Sequence, residues 1–138
     1  IPAEVIELRK RHKLEGMAVL QFGFDDENPD NPHNPKNIKL DQVVYTGTHD
    51  NNTTIGWWKD SPQWRKDRIN LKGDICDTLI EMALDSSAGM AIIPLQDILK
   101  LGSEARMNTP GTTIGNWNWR FDWDQIENVQ IDLNQAAL

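Results

Sequence analysis

The chain is poor in cysteine, in positive charge and in long apolar runs, and each shortage excludes a class of protein. Cys76 is the single cysteine among 138 residues, so no internal disulfide can form and a reducing, cytoplasmic setting is favoured. The net charge of −7 argues against a nucleic-acid partner, whose phosphates require clustered Lys and Arg. No segment approaches the roughly 18 apolar residues of a membrane span, so no membrane association is expected.

Motifs for metal and cofactor binding are also lacking. The three histidines are too scattered for the ligand spacing of a zinc site. A segment beginning at Asp26 starts like a calcium loop, but Asn31 stands where that loop requires Gly and Asn37 where it requires Glu. Because there is also no glycine-rich phosphate loop, we expect the protein to use neither a metal nor a cofactor.

What the sequence does contain is an alternation of helix-like and strand-like segments. A helix is predicted after Pro2 and another after Asp74, a residue type suited to capping a helix. The apolar residues of the second helix recur at helical spacing, with Cys76 among them as a small core residue. Three short apolar runs bounded by turn residues predict buried strands: MAVLQFGF, VVYTG and MAIIPL. Between the first two lies a loop rich in Asp, Asn and Pro, which is not expected to form regular structure.

Strands that alternate with helices predict an α/β fold with parallel strand pairing. Three parallel strands alone would leave two long apolar edges, which stable domains avoid. We therefore expect the strands to belong to a larger sheet or barrel, part of which precedes Ile1. Residues 1–138 are interpreted as one fragment of a single domain, with an ambiguous tail from Asp122 onward that is compatible with a final helix.

Polar side chains follow each of the predicted strands. In α/β barrels the chemistry lies at the C-terminal ends of the strands, so these side chains are expected to share one face. The groups are Asp25, Asp26 and Glu27; then His49, Asp50, Asn51 and Asn52; then Gln96, Asp97, Arg106 and Asn108. Near the same loops lie Trp57, Trp58, Trp117 and Trp119. Planar polar groups bind sugar hydroxyls and aromatic rings stack on pyranose faces, so the pattern favours a carbohydrate site centred on the Asp50 carboxylate.

Ordinary structural roles are the alternatives for these residues. Asp50 is equally suited to capping a helix, and His49 to a structural hydrogen bond. Trp57 and its neighbour suit core packing as well as ligand contact. Residues 25–27 are compatible with a solvated turn. Composition and spacing leave these alternatives open.

Five motifs, in a fixed order, carry a resemblance to a known family. They are MAVLQFGF, PHNP, VVYTGTHDNNTTIGWW, PLQDILKLGSEARMNTPG and GNWNWR. Together they resemble the C-terminal part of the 4-alpha-glucanotransferases, the amylomaltase or disproportionating-enzyme family of the alpha-amylase superfamily. The similarity extends from Ile1 to about Arg120, which is nearly the whole chain.

The resemblance implies a TIM-type (β/α)8 barrel, with the three apolar runs as its sixth, seventh and eighth strands. It implies retaining cleavage of an α-1,4-glucan such as a maltodextrin. The glucanosyl unit would be transferred to the 4-hydroxyl of glucose or of a maltooligosaccharide acceptor. A cytoplasmic location is expected, or a plastid location if the chain comes from a plant.

The resemblance also assigns roles to single residues. Asp50 corresponds to the carboxylate that stabilises the transition state, and His49 to its neighbour on the same glucose ring. Asn108 corresponds to a residue lining the donor site. The resemblance also places Asp26 (or its neighbour Asp25) at the border of the acceptor side. Asn51 and Trp57 are expected substrate contacts from their positions in the polar and aromatic pattern alone.

The chain departs from the family pattern in one decisive respect. The nucleophilic Asp and the general acid/base Glu of the family belong to the part of the barrel that precedes Ile1, and a retaining glycosidase needs both, roughly 5–5.5 Å apart. The fragment alone is therefore predicted to be inactive and to need the remaining N-terminal part of the barrel as its partner. The alternative is a non-catalytic α-glucan-binding module or a degenerate remnant. Asn52 also stands where many members of the family have Asp.

Overall fold

A computed structural model describes residues 1–127 and 129 of the chain. Its three strands, β1 (Gly16–Val19), β2 (Gln42–Tyr45) and β3 (Met90–Ile92), form one sheet in the order β1-β2-β3. Both neighbouring pairs are parallel, with Val19 opposite Tyr45 and Tyr45 opposite Ile92. The predicted parallel α/β arrangement of three strands is confirmed, and the C-terminal ends of all three strands meet at one edge.

Helices connect and follow these strands. They are α1 (Ala3–Arg11), α2 (Leu20–Gly23), α3 (Thr54–Asp60), α4 (Gln63–Lys66), α5 (Ile75–Leu84) and α6 (Leu95–Ile98), with 3-10 turns at Pro35–Asn37, Ser103–Ala105 and Trp123–Gln125. The Asp74 carboxylate caps α5 by accepting a hydrogen bond from the Asp77 N–H at 2.9 Å, as predicted. Thr53 caps α3 in the same way. The ambiguous tail from Asp122 onward falls mainly outside the described residues, and its described part contains the 3-10 turn that starts at Trp123.

Two of the apolar runs form shorter strands than predicted. The run MAVLQFGF leaves the strand after Val19 and continues as α2, and MAIIPL leaves it after Ile92. A short apolar run has the same composition in a buried strand and in a buried helical turn, so periodicity cannot locate the change. Nor are the strands buried on both faces within this chain, because Met17 and Met90 are each about half exposed.

The core lies between the sheet and α5. Its buried members are Ala18, Leu20, Phe24, Ile38, Val44, Ile69, Ile75, Leu79 and Ala83. Cys76 is fully buried beside them, which confirms its predicted core position. Burial, and then the nearby charge of Asp97, raises the pKa of the Cys76 thiol to about 12.

The helix α1 packs loosely on the rest of the chain. None of its residues is buried, and Val5 and Leu8 are each about half exposed. Arg9 attaches α1 to the residue that precedes β2, because its guanidinium pairs with the Asp41 carboxylate at 2.9 Å. Among residues 1–127 and 129, no helix combines the length and the apolar character that crossing a membrane requires.

Candidate functional site

The residues that join β2 to α3 form a compact turn, here called the site loop (residues 46–53). The Asn51 side-chain oxygen accepts two hydrogen bonds from Thr48, from its N–H at 3.0 Å and from its hydroxyl at 2.7 Å. The Thr48 hydroxyl in turn accepts the Asp50 N–H at 3.3 Å. These bonds turn the loop so that His49 and Asp50 stand at its exposed tip.

Asp50 is held on one side and open on the other. Its Oδ1 accepts a hydrogen bond from Asn108 Nδ2 at 2.7 Å and lies 3.4 Å from His49 Nε2. The Arg106 guanidinium donates to the Asp50 carbonyl at 2.8 Å. Half of the Asp50 side chain remains exposed, and within the described residues its second carboxylate oxygen accepts no hydrogen bond. The carboxylate is thus oriented by protein groups and free to meet a ligand.

His49 is supported by a residue far along the chain. Its ring lies 5.1 Å from the ring of Trp117, and its carbonyl accepts the N–H of Asn108 at 3.0 Å. Trp117 has a φ of +62°, a conformation that bulky residues rarely adopt, and its N–H is bonded to the Met107 carbonyl at 2.7 Å. Trp117 is about half exposed, so one aromatic face borders the site.

A cavity of about 170 Å³ opens beside the site loop. Its lining combines the site-loop residues other than Thr46 and Asp50 with Pro94, Gln96, Asp97, Arg106, Met107 and Trp117. The polar residues after β2 and those after β3 therefore share one face, as predicted from the strand order. Within the described part of the chain, no three His, Cys, Asp or Glu side chains are grouped so as to hold a metal ion.

The structure brings four of the six predicted site residues together and separates two. His49, Asp50, Asn51 and Asn108 lie within one hydrogen-bonded cluster. Trp57 is not part of the cavity lining and instead packs against the core, with its ring 6.4 Å from that of Phe24 and the Arg65 guanidinium 5.4 Å from its centre.

Asp26 lies in the long loop after β1, where its Oδ1 accepts hydrogen bonds at 3.1 Å from the Asn28 N–H and from the Asn31 amide. This is the turn geometry that was the alternative interpretation for residues 25–27. The substrate contacts assigned to Asp26 and Trp57 stay predictions.

The sequence placed Arg106 and Trp117 near the predicted carbohydrate site but gave neither an individual role, although both support the exposed tip of the site loop. Trp117 belongs to the GNWNWR motif, so it was visible as one of several tryptophans near the loops. Nothing in the spacing of the chain distinguishes the tryptophan that faces His49 from those that face the core.

The amino-acid sequence is similar to those of one known enzyme family. The sequence profile of glycoside hydrolase family 77, described as 4-alpha-glucanotransferase, matches residues 1–126. The chloroplastic/amyloplastic 4-alpha-glucanotransferase of Arabidopsis thaliana is 52% identical over 127 residues, which are 88% of this chain and 22% of that protein. The 4-alpha-glucanotransferase of Thermus thermophilus is 45% identical over 137 residues, covering 88% of this chain and 27% of that protein.

A solved structure agrees with these sequence relatives. The amylomaltase of Streptococcus agalactiae in complex with acarbose superposes with a TM-score of 0.86 at 26% identity, covering 99% of this chain and 28% of that one. The three parallel strands and their helices match a part of that amylomaltase barrel, so the predicted fold class is confirmed. The chain spans only 22% to 28% of the length of these relatives. With a family profile that matches residues 1–126, the chain belongs to the 4-alpha-glucanotransferase family, glycoside hydrolase family 77.

Proposed function

We propose that this chain is the C-terminal part of one 4-alpha-glucanotransferase barrel and supplies its transition-state-stabilising carboxylate, Asp50. The observation that carries the proposal is the geometry of Asp50, half exposed at the end of the middle strand and held through one oxygen by Asn108. A carboxylate placed at the C-terminal face of a barrel, with one oxygen free, is suited to meet a substrate.

The chemistry follows from this arrangement. Retaining cleavage of a glycosidic bond passes through oxocarbenium-like transition states that carry positive charge on the sugar ring. A carboxylate that is already oriented attracts that charge as it develops, with little reorganisation in the transition state. The Asn108 bond fixes the direction of the Asp50 carboxylate, while the exposed His49 ring supplies a second polar contact to the same sugar.

The other parts of the reaction belong to groups outside this chain. We infer that the remaining N-terminal part of the barrel provides the nucleophile and the acid/base, so the chain by itself is inactive. The half-exposed faces of Met17 and Met90, and the edges of β1 and β3 that have no partner strand among the described residues, support a neighbouring piece of sheet.

The proposed partners are an α-1,4-glucan donor such as a maltodextrin, and a glucose or maltooligosaccharide acceptor. Support comes from the names of the relatives and from the acarbose bound to the Streptococcus agalactiae protein. Because the Arabidopsis relative is chloroplastic or amyloplastic and others are bacterial, we propose a plastid or cytoplasmic location.

The assignment of Asp50 is tested by replacing it with Asn in the complete enzyme that contains this chain. Asn keeps the shape of the side chain but removes the charge, so turnover of maltotriose is expected to fall by about 10³-fold or more while folding is retained. The matched control is Asp60→Asn, an exposed carboxylate at the end of α3, which should leave turnover unchanged. Near-normal turnover in the Asp50 variant would contradict the proposal.

Transfer is distinguished from simpler functions by the products formed from maltotriose. A ladder of longer maltodextrins together with glucose supports transfer to an acceptor, whereas decay to short sugars alone supports hydrolysis. A protein that binds maltodextrin but forms neither set of products would be the non-catalytic binding module instead.

A further inference from the structure

Two buried polar side chains flank the site loop from opposite sides. Gln21 lies in α2, directly after β1, and is 1% exposed. Asp97 lies in α6, shortly after β3, and is 2% exposed. Since β1 and β3 are the neighbours of β2, these side chains reach the site loop from both sides of the strand that precedes it.

Asp97 binds the first residue of the site loop and the residue that follows its last. Its Oδ2 accepts hydrogen bonds from the hydroxyl of Thr46 at 2.6 Å and from that of Thr54 at 2.8 Å. Its Oδ1 accepts the backbone N–H of Thr54 at 2.8 Å. One buried carboxylate therefore connects the residue that follows β2 to the first residue of α3, through short charge-assisted hydrogen bonds.

Gln21 binds the same loop from the side of β1. Its backbone N–H donates to the Thr46 carbonyl at 3.3 Å, and its side-chain amide donates to the Asn52 carbonyl at 3.1 Å. Gly47 permits this approach, because a Cβ at that position would lie 2.7 Å from the Gln21 amide nitrogen. The loop is thus held at both of its ends, and only its tip is exposed.

The exposed tip carries His49 and Asp50. Three fixed points, at Thr46, Asn52 and Thr54, leave the residues between them few alternative conformations. A catalytic group must be held close to its productive geometry by surrounding hydrogen bonds, and a displacement of 1 Å can cost about 100-fold in rate.

We propose that Gln21 and Asp97 are positioning residues, which hold the site loop so that His49 and Asp50 meet the reacting sugar. This inference rests on the proposed function, because it assigns a catalytic consequence to the two contacts. Gln21 does not line the cavity, and Asp97, which does, is only 2% exposed and has both carboxylate oxygens bonded to Thr46 and Thr54. Their effect on the reaction must therefore pass through the position of the loop.

The test compares Asp97→Asn and Gln21→Glu with Asp74→Asn in the complete enzyme. Asn at position 97 turns one acceptor into a donor that faces the threonine hydroxyls, and an ionised Glu at position 21 cannot donate to the Asn52 carbonyl. The control, Asp74, is also a carboxylate that accepts a backbone N–H at the start of a helix, but it caps α5 and lies outside the cavity lining.

We expect Asp97→Asn to lower kcat by about 100-fold and Gln21→Glu by about tenfold, with KM changing less than kcat. Amide hydrogen exchange within residues 46–54 should become faster in both variants. Asp74→Asn should lower the melting temperature while leaving kcat and exchange in the site loop unchanged. If Asp97→Asn fails to fold, Gln21→Glu carries the comparison.

Unchanged kcat together with unchanged exchange in the loop would overturn the proposal. The proposal would also fail if kcat fell only in proportion to the melting temperature, and did so equally in Asp74→Asn and in the two loop variants. If the parent enzyme shows no glucanotransferase activity, the proposed function fails by itself. Exchange in residues 46–54 then decides whether Gln21 and Asp97 hold the loop.

Discussion

The loops that follow β1 and β2 are built in opposite ways. The first, here called the Asn-rich loop (residues 25–41), is organised mainly by its own side chains. Asn31 donates to the Phe22 carbonyl at 3.0 Å and accepts the His33 N–H at 2.9 Å, while Asn37 donates to the Pro29 carbonyl at 2.7 Å. The partners in these bonds are between two and nine residues apart along the chain.

The site loop is organised largely from outside. Its hydrogen bonds to the side chains of Gln21, Asp97, Arg106 and Asn108 join residues between 31 and 58 positions apart in sequence. The difference shows that a long loop can take its shape from local asparagine turns, whereas the short loop that carries Asp50 depends on the packed sheet beneath it. Substitutions in the two loops should therefore affect different properties of the protein.

The largest effect on stability is expected from Asn31→Ala in the Asn-rich loop. Asn31 is buried, and the substitution removes several hydrogen bonds worth about 1 kcal/mol each, so the free energy of unfolding should fall by about 3 kcal/mol. Urea denaturation measures the change. Asn34→Ala is the control in the same loop, since Asn34 caps only the 3-10 turn and should cost about 1 kcal/mol. Equal losses in the two variants would contradict the central role of Asn31.

Asn108→Ala is expected to affect activity instead of stability, and its effect in free-energy terms is smaller than that of Asn31→Ala. A hydrogen bond to a charged group contributes about 1.5–3 kcal/mol, so loss of the bond to Asp50 should lower kcat/KM by about 10- to 150-fold. Thermal stability should change little, because the Asn108 N–H remains bonded to His49. Steady-state kinetics on maltotriose, with the variant made in the complete enzyme that contains this chain, provide the measurement.

The control for Asn108 is Asn116→Ala. Asn116 bonds only to the nearby Thr109 and Thr112 within the described residues, and Asp50 keeps its partners in that variant. If both variants lost activity equally, the contact between Asn108 and Asp50 would not explain the loss.

The smallest effect is a pH dependence in the Asn-rich loop. The His33 Nδ1 accepts the N–H of Val19 at 3.1 Å, and burial lowers the pKa of His33 from its ordinary 6.5, against a raising influence of Asp25. The folded state thus favours neutral His33. Its contribution to stability is full above pH 6.5 and is lost as the pH falls through the lowered pKa.

This pH dependence is measured by urea denaturation between about pH 8 and pH 5, a range that brackets the ordinary titration of histidine. The parent should lose more stability on acidification than His33→Gln does. His12→Gln, at the exposed end of α1, is the control and should behave like the parent. A parent and a His33 variant with the same pH profile would exclude the proposed role of the Val19 contact.

Much of the fold was predictable because its signals are local. The Asp74 cap, the helical spacing of α5 and the turn-forming Asn and Pro residues act within a few positions of one another. The strand ends were not predictable in the same way. The bond from the Gln21 N–H to the Thr46 carbonyl lies just past the change from β1 to α2, and it joins the residues that follow two separate strands.

The candidate site also contains residues that the sequence identified and residues that it did not. The resemblance identified His49, Asp50 and Asn108, and the structure brings them into contact. The resemblance could not distinguish Trp117, which lies beside His49, from Trp57, which packs against the core. Both occur in aromatic motifs near loops, and only the packing of the chain decides which ring faces the site.

By itself, the sequence determined the parallel α/β class, the core position of Cys76, the helix caps and the family. These depend on periodicity, local hydrogen bonding and ordered motifs, which are all set by the order of neighbouring residues in the sequence. The tertiary structure alone decided that Asp97 and Gln21 would reach the site loop from either side. Their side-chain bonds to the loop and to Thr54 join residues 31 to 51 positions apart, and such neighbours exist only once the three strands lie side by side.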